Sequence, residues 1–156
     1  GILKGSPAVV KKPGVFNFGV INITGVESFH DKSQGSERGK NIIYKISAEG
    51  LDLVHLGDLG HTLTPEQVND IGNTDILLVP VGGTFTVDAE EAFKVVEQLH
   101  PHIVIPMHFN TPHLSFELAP VEAFTSRFPR AVKVPHLEIT SSDLKNELEV
   151  IVLDYL

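Results

Sequence analysis

The chain has 156 residues, 42% of them apolar, with 20 acidic against 12 basic side chains and a formal charge of -8. That size and apolar content suit one folded domain with its own core, and the acidic balance leaves no basic stripe for nucleic acid or an anionic membrane. Cysteine is absent, which excludes disulfide scaffolds and thiolate zinc sites, so any bound metal must take His, Asp or Glu. No apolar run approaches the ~20 residues of a membrane span, and no signal-peptide pattern opens the sequence; a cytoplasmic protein is the expectation.

In chain order, Ala8–Val10, Val15–Phe18 and Val20–Ile23 read as short strands separated by Pro13-Gly14 and Gly19. His30-Asp31 follows Phe29, where this strand system stops, and residues 31–40 are polar and glycine-bearing, hence a loop. Asn41–Ala48 and Leu51–Leu56 predict a hairpin around Glu49-Gly50. Thr64-Pro65-Glu66-Gln67 is a helix start, with a threonine cap, proline at the first position and glutamine at the capping-box position; the helix ends near Gly72. Ile76–Val81 is a continuous apolar run, as in a strand covered on both faces, and Gly82-Gly83 ends it. Asp88–His100 is a helix with Ala92, Val95, Val96 and Leu99 on one face. Ile103–Met107 predicts a buried strand with His108 at its end. A short helix over Pro120–Phe128 and strands at Val132–Val134 and Leu148–Leu153 complete the reading. No repeat, linker or boundary appears, so residues 1–156 form a single domain.

His55-Leu56-Gly57-Asp58-Leu59-Gly60-His61 carries the most chemical information. It places a carboxylate and two imidazoles at the end of an apolar strand. His30, Asp58 and His108 each stand just past a predicted strand, where ligands gather in α/β sheets. Two imidazoles and a carboxylate suit Zn, Mn or Fe(II), with positions left for water or substrate. A metal so held can bring the pKa of a bound water down to about 7. Taken singly, each residue has a plainer reading: a histidine at a strand end is more often an ordinary loop or core residue, and Gly-Asp-x-Gly is more often only a turn. His61 reads as a residue supporting the ligands or as a surface histidine. His55 reads as core, His100 and His102 as structural, and His113 as a residue near a substrate. Gly82-Gly83-Thr84 could offer N–H groups to an anion, although a simple turn fits it better. Serine- or thiol-based acyl transfer has little support, since neither Gly-x-Ser-x-Gly nor cysteine occurs.

Five segments occurring in order carry a more specific signal. They are Glu27-Ser28-Phe29-His30-Asp31, Arg38-Gly39-Lys40-Asn41, the 55–61 motif, Asp75 through Gly83, and Ile105-Pro106-Met107-His108. From about Val9 to at least Phe128 the chain resembles the metallo-β-lactamase superfamily, in the branch of small prokaryotic metal-dependent hydrolases similar to the ascorbate-6-phosphate lactonase. The resemblance implies an α/β (α+β layered) fold, an αββα sandwich with a one- or two-metal site at one edge. It places His30 in the first metal site, Asp58 between the two metals and His108 in the second site. It implies hydrolysis of a phosphoester, lactone or related ester by metal-bound hydroxide, with a divalent metal, Zn first and Mn or Fe as alternates.

The family's principal His-x-His-x-Asp-His motif, which supplies both metals, has no match in this sequence. Gly1-Ile2-Leu3-Lys4-Gly5 aligns with the stretch just after it. The expectation is therefore a partial sandwich, truncated so as to lack its first strands and the aspartate that orients the attacking water. Such a truncation exposes a sheet edge and apolar interior, which would pair with the missing N-terminal fragment or with a second copy in a homo-oligomer. The partners expected are a small-molecule substrate, no nucleic acid and no membrane. The alternative is a non-catalytic assembly or binding module with a relic metal site. A weaker one is Fe(II)-dependent oxygen chemistry.

Overall fold

The computed structural model describes residues 7–155, so the alignment of Gly1–Gly5 lies outside the described residues. Eight strands form one mixed sheet. The strands β1 (Gly14–Phe18), β2 (Ile21–Phe29), β3 (Lys40–Ala48) and β4 (Leu51–His55) make an antiparallel meander. The strands β5 (Ile76–Pro80) and β6 (Ile103–Met107) then add parallel to β4. The strands β7 (Ala131–Val134) and β8 (Glu149–Leu153) close the far side, with β8 between β6 and β7. The predicted hairpin forms with Ala48 opposite Leu51, and its two turn residues, Glu49 and Gly50, have φ of 53° and 77°. Both central residues at positive φ match the twist of the flanking strands.

Helix α1 (Pro65–Ile71) starts as its sequence dictates: Thr64 Oγ1 accepts the Gln67 N–H and the Gln67 side chain accepts the Thr64 N–H. Helix α2 (Ala89–Leu99) is capped in the same way by Asp88 and Glu91. Both satisfy N–H groups that a helix start leaves without partners. The apolar face of α2 packs with Ile71 and with Val54, Leu77, Val79 and Val104, the alternate residues of the central strands. Helix α3 (Glu122–Thr125) is shorter than the predicted 120–128. Its continuation tightens to i→i+3 bonds, Arg127 N–H to Phe124 O and Phe128 N–H to Thr125 O, while Phe124 stays fully buried.

The sheet's other face is covered unevenly. Over β5, β6 and β8 it is capped by Leu137, Ile139 and Leu144. Over β2 to β4 it is an apolar groove of about 560 Å³ lined by Phe18, Ile21, Ile23, Tyr44, Ile46 and Leu53. Two of its lining residues, Phe18 and Ile21, are 42% and 39% exposed. The expected strand at Ala8–Val10 does not form. That segment crosses the sheet instead of extending it: the Tyr44 hydroxyl donates to Val10 O, and at Gly25 a Cβ would sit 3.1 Å from Lys12 O. Among the described residues no helix is long and apolar enough to cross a membrane.

Candidate metal centre

Two antiparallel steps make β2 parallel to β4, and β5 and β6 are parallel to both. The carboxyl ends of all four strands therefore lie at one edge of the sheet. His30 follows β2, Asp58 follows β4, Gly82 follows β5 and His108 follows β6. Topology thus brings the three predicted ligands to one edge, the usual place for a site in an open α/β sheet.

His30 is held by the 55–61 motif. The Gly60 N–H donates to Phe29 O at 2.9 Å, and a Cβ on Gly60 would overlap the His30 carbonyl carbon and the Asp31 nitrogen. Only glycine permits that approach. His61 Nε2 accepts the Phe29 N–H at 3.2 Å while its Nδ1 lies 2.7 Å from Thr62 O. With one nitrogen accepting and the other donating, His61 is a neutral bracket for the end of β2 and has no lone pair left for a metal. Asp31, 3% exposed, does a second positioning job. Its carboxylate accepts N–H groups from Ser33 and Gly35 (2.8 Å each), Glu37 (3.1 Å) and Arg38 (2.7 Å). Burial pushes its pKa up, but the four amide bonds outweigh this and hold it down at about 2. In the sequence, the signal for this role of Asp31 is an aspartate opening a serine- and glycine-bearing loop.

Asp58 is exposed, and its N–H donates to Asn41 Oδ1 at 3.1 Å. Asn41 Nδ2 donates to Ser28 Oγ and to Leu56 O, both at 2.8 Å, so one side chain ties β2, β3 and the 57–58 turn together. The reading missed Asn41, because nothing local to β3 reports which turn it reaches. His55 Nδ1 accepts the Gly57 N–H at 3.0 Å. Burial lowers its pKa, and the Asp58 charge opposes that shift in part.

His108 sits in left-handed backbone with φ of 53°, and Gly82 packs so closely on its carbonyl oxygen that a Cβ would overlap it. Among the described residues two buried side-chain polar atoms lack any hydrogen-bond partner: His30 Nε2 and His108 Nδ1. Leaving such an atom unpaired costs roughly 1–3 kcal/mol, so both nitrogens call for a partner from outside the fold. With the exposed carboxylate of Asp58 they make a nitrogen–oxygen donor set of the kind Zn, Mn and Fe(II) accept. They do not converge on one point: among the described residues no three His, Asp or Glu side chains are grouped to hold an ion. The strand order accounts for this, since β2, β4 and β6 are each two strands apart, ~10 Å per step.

His30 lines a cleft of about 320 Å³ between the 31–38 loop and the 83–86 turn; Asp58 and His108 do not line it. The Gly82-Gly83-Thr84 segment is a closed turn. Gly83 donates to Val87 O, and Phe85 and Thr86 donate back to Gly83 O. His113 is exposed and packs edge-on to Tyr155 at 6.3 Å. His100 caps α2 in left-handed backbone, and His102 Nδ1 lies 2.6 Å from Lys145 O. Both flank the start of β6, at the opposite edge of the sheet from His108.

Residues 1–108 match the family described as Beta-lactamase superfamily domain. A UPF0173 metal-dependent hydrolase of Carboxydothermus hydrogenoformans is 36% identical over 102 residues, 63% of this chain and 45% of the relative. A UPF0173 metal-dependent hydrolase of Archaeoglobus fulgidus is 31% identical over 139 residues, 85% of this chain and 57% of the relative. The chain spans about half the length of the curated relatives it matches. A solved Thermotoga maritima structure, described as a Zn-dependent hydrolase of the metallo-β-lactamase superfamily, superposes with a TM-score of 0.83 at 41% identity, over 94% of this chain and 71% of that one.

Proposed function

The chain belongs to the metallo-β-lactamase superfamily, and on that premise we propose that it forms one domain-sized part of a metal-dependent hydrolase centre, with His30, Asp58 and His108 as its metal ligands. The observation that carries the reading is the pair of buried imidazole nitrogens without partners at one sheet edge. His30 would offer Nε2 and His108 would offer Nδ1, with the Asp58 carboxylate on the turn after β4, the strand midway between β2 and β6. When bound, a divalent ion supplies Lewis acidity that polarises an ester or phosphoryl oxygen and acidifies water. The residues of this chain position the donors: Gly60, His61 and Asp31 fix the backbone of His30, Asn41 fixes the Asp58 turn, and Gly82 fixes His108. Zn fits the donor set first, with Mn or Fe(II) as alternates. The likeness to metal-dependent hydrolases supports a hydrolytic reaction, and we take the substrate to be a phosphoester, lactone or related small ester and the setting to be cytoplasmic.

Because no three His, Asp or Glu side chains are grouped among the described residues, this reading takes further donors from outside them. We place them on an N-terminal fragment bearing His-x-His-x-Asp-His, seated on the apolar groove over β2 to β4; a second copy of the chain is the other candidate for that face. The same lack of grouping favours a second reading, a binding module whose ligands are relics. Elemental analysis before and after chelation separates the two. Bound metal, with thermal stability lost on chelation, supports the hydrolase centre; no metal and no change in stability support the module. This chain with added Zn is expected to leave a generic phosphodiester intact. Turnover by it at the rate of a full-length relative would overturn the need for further donors.

A further inference from the structure

We propose that Arg38 is the anion-recognition residue of the cleft beside His30, so that the substrate is an ester carrying an oxyanion, phosphate or carboxylate, next to the bond that is cleaved. The proposal rests on reading that edge as a hydrolase centre.

Arg38 and His30 line the same cleft. The loop that presents Arg38 is wound around the Asp31 carboxylate, and the Arg38 amide makes the shortest of the four bonds to it, 2.7 Å. The backbone carrying the guanidinium is thus fixed relative to His30, one residue before that carboxylate. The guanidinium carbon lies 5.7 Å from the centre of the Phe85 ring, on the opposite wall. This cation–π contact steadies the head group beside the cleft, and a guanidinium presents N–H donors that suit a planar or tetrahedral oxyanion.

The other charged side chains of the cleft have partners of their own, although the neutral donors leave the carboxylates charged, so four acids face two cations across it. Asp31 takes four backbone N–H groups, and Asp88 Oδ1 takes those of Glu90 and Glu91 at 2.9 Å. Glu91 binds Lys32 at 2.5 Å, and Glu37 accepts from the Ser33 hydroxyl at 2.6 Å. Arg38 has only Glu37, at 3.8 Å, which is too far for a hydrogen bond. Among the described residues it is the cation of this cleft whose donors are uncommitted, and 39% of its side chain is accessible. A volume of about 320 Å³ admits a small ester group.

The test is a titration of the metal-free protein with inorganic phosphate and, separately, acetate, at constant ionic strength. Binding is followed by NMR at the backbone amides of Thr84 and Thr86, which line the same cleft, in parent and variants alike, and in the parent also at the Arg38 side-chain N–H. A saturable shift with either anion is expected, and the anion that binds more tightly identifies phosphate or carboxylate as the class. Arg38→Gln should weaken binding about 10-fold or more, and Phe85→Leu, which keeps the charge but loses the stack, by about 3-fold. Absence of a saturable shift with both anions, or an Arg38→Gln protein that binds as well as the parent, would overturn the proposal. Zn titration of phosphate-free samples, read at His30, keeps the underlying reading separate. A Zn response without an anion response sinks only the role of Arg38, and an anion response without a Zn response sinks the hydrolase centre.

Discussion

At the amino edge of the parallel strands, Asp52 accepts from the Ser47 hydroxyl, from Asn73 Nδ2 and from Lys45 Nζ, the last two at 3.1 Å. Asp75, 8% exposed, takes the Asp52 N–H at 2.7 Å and Asn73 Nδ2 at 3.3 Å, while its carbonyl takes the N–H groups of His102 and Ile103. At the carboxyl edge, some five residues along the same strands, the backbone is braced just as thoroughly by Asp31, Asn41 and His61. The difference lies in what the bracing delivers. The amino edge closes its polar groups on one another, whereas the carboxyl edge ends in two buried imidazole nitrogens with nothing to bind. A closed network fixes strand register and stabilises the fold; an open one gives up stability to keep donors available.

Substitutions can break this contrast from either side. The largest effect is expected for Gly60→Ala, whose Cβ would overlap the backbone of His30 and Asp31. A loss of about 3 kcal/mol in denaturant unfolding should accompany loss of metal binding. Asp75→Ala attacks the closed edge: it strands the Asp52 N–H and Asn73 and should cost about 2 kcal/mol, with Zn affinity unchanged by calorimetry. His108→Asn inverts that pattern. Asparagine tolerates the left-handed backbone at this position, so stability should stay within about 0.5 kcal/mol of the parent. Metal retention should nevertheless fall about 10-fold or more.

The smallest effect is on acid stability. Burial raises the Asp52 pKa, but Ser47, Asn73 and Lys45 together bring it below its ordinary 3.8. A depressed folded-state pKa adds stability at pH values above 3.8, which is lost as pH falls through the folded value. Unfolding free energy should therefore drop below about pH 4. Asp52→Asn should flatten part of that limb, the rest belonging to Asp31, while leaving the curve near neutral pH parallel to the parent's.

Legibility in the sequence followed the range of the interactions. The first helix start was readable because Thr64-x-x-Gln67 satisfies its own N–H groups within one turn, and the second helix because Ala92, Val95, Val96 and Leu99 repeat at helical spacing. Ile76–Pro80 and Ile103–Met107 were readable as covered strands from their unbroken apolar runs. The strand expected at Ala8–Val10 failed because β-propensity does not report whether a neighbouring strand is available, and this segment crosses the sheet at Gly25. Asn41 and His61 act across 17 and 32 residues of sequence, so their bracing roles appear only once the sheet is assembled. His30, Asp58 and His108 could each be placed at a strand end from local pattern. That these ends share one edge depends on the relative direction of β2, β4 and β6, which spacing does not encode.

The most direct test of the metal reading is long-range 15N–1H NMR of the eight imidazoles during Zn titration. His30 Nε2 and His108 Nδ1 should move to metal-bound shifts, while His61, both of whose nitrogens are already engaged, should stay fixed. Silence at both His30 and His108 when Zn is saturating, or a response confined to other histidines, would contradict the account.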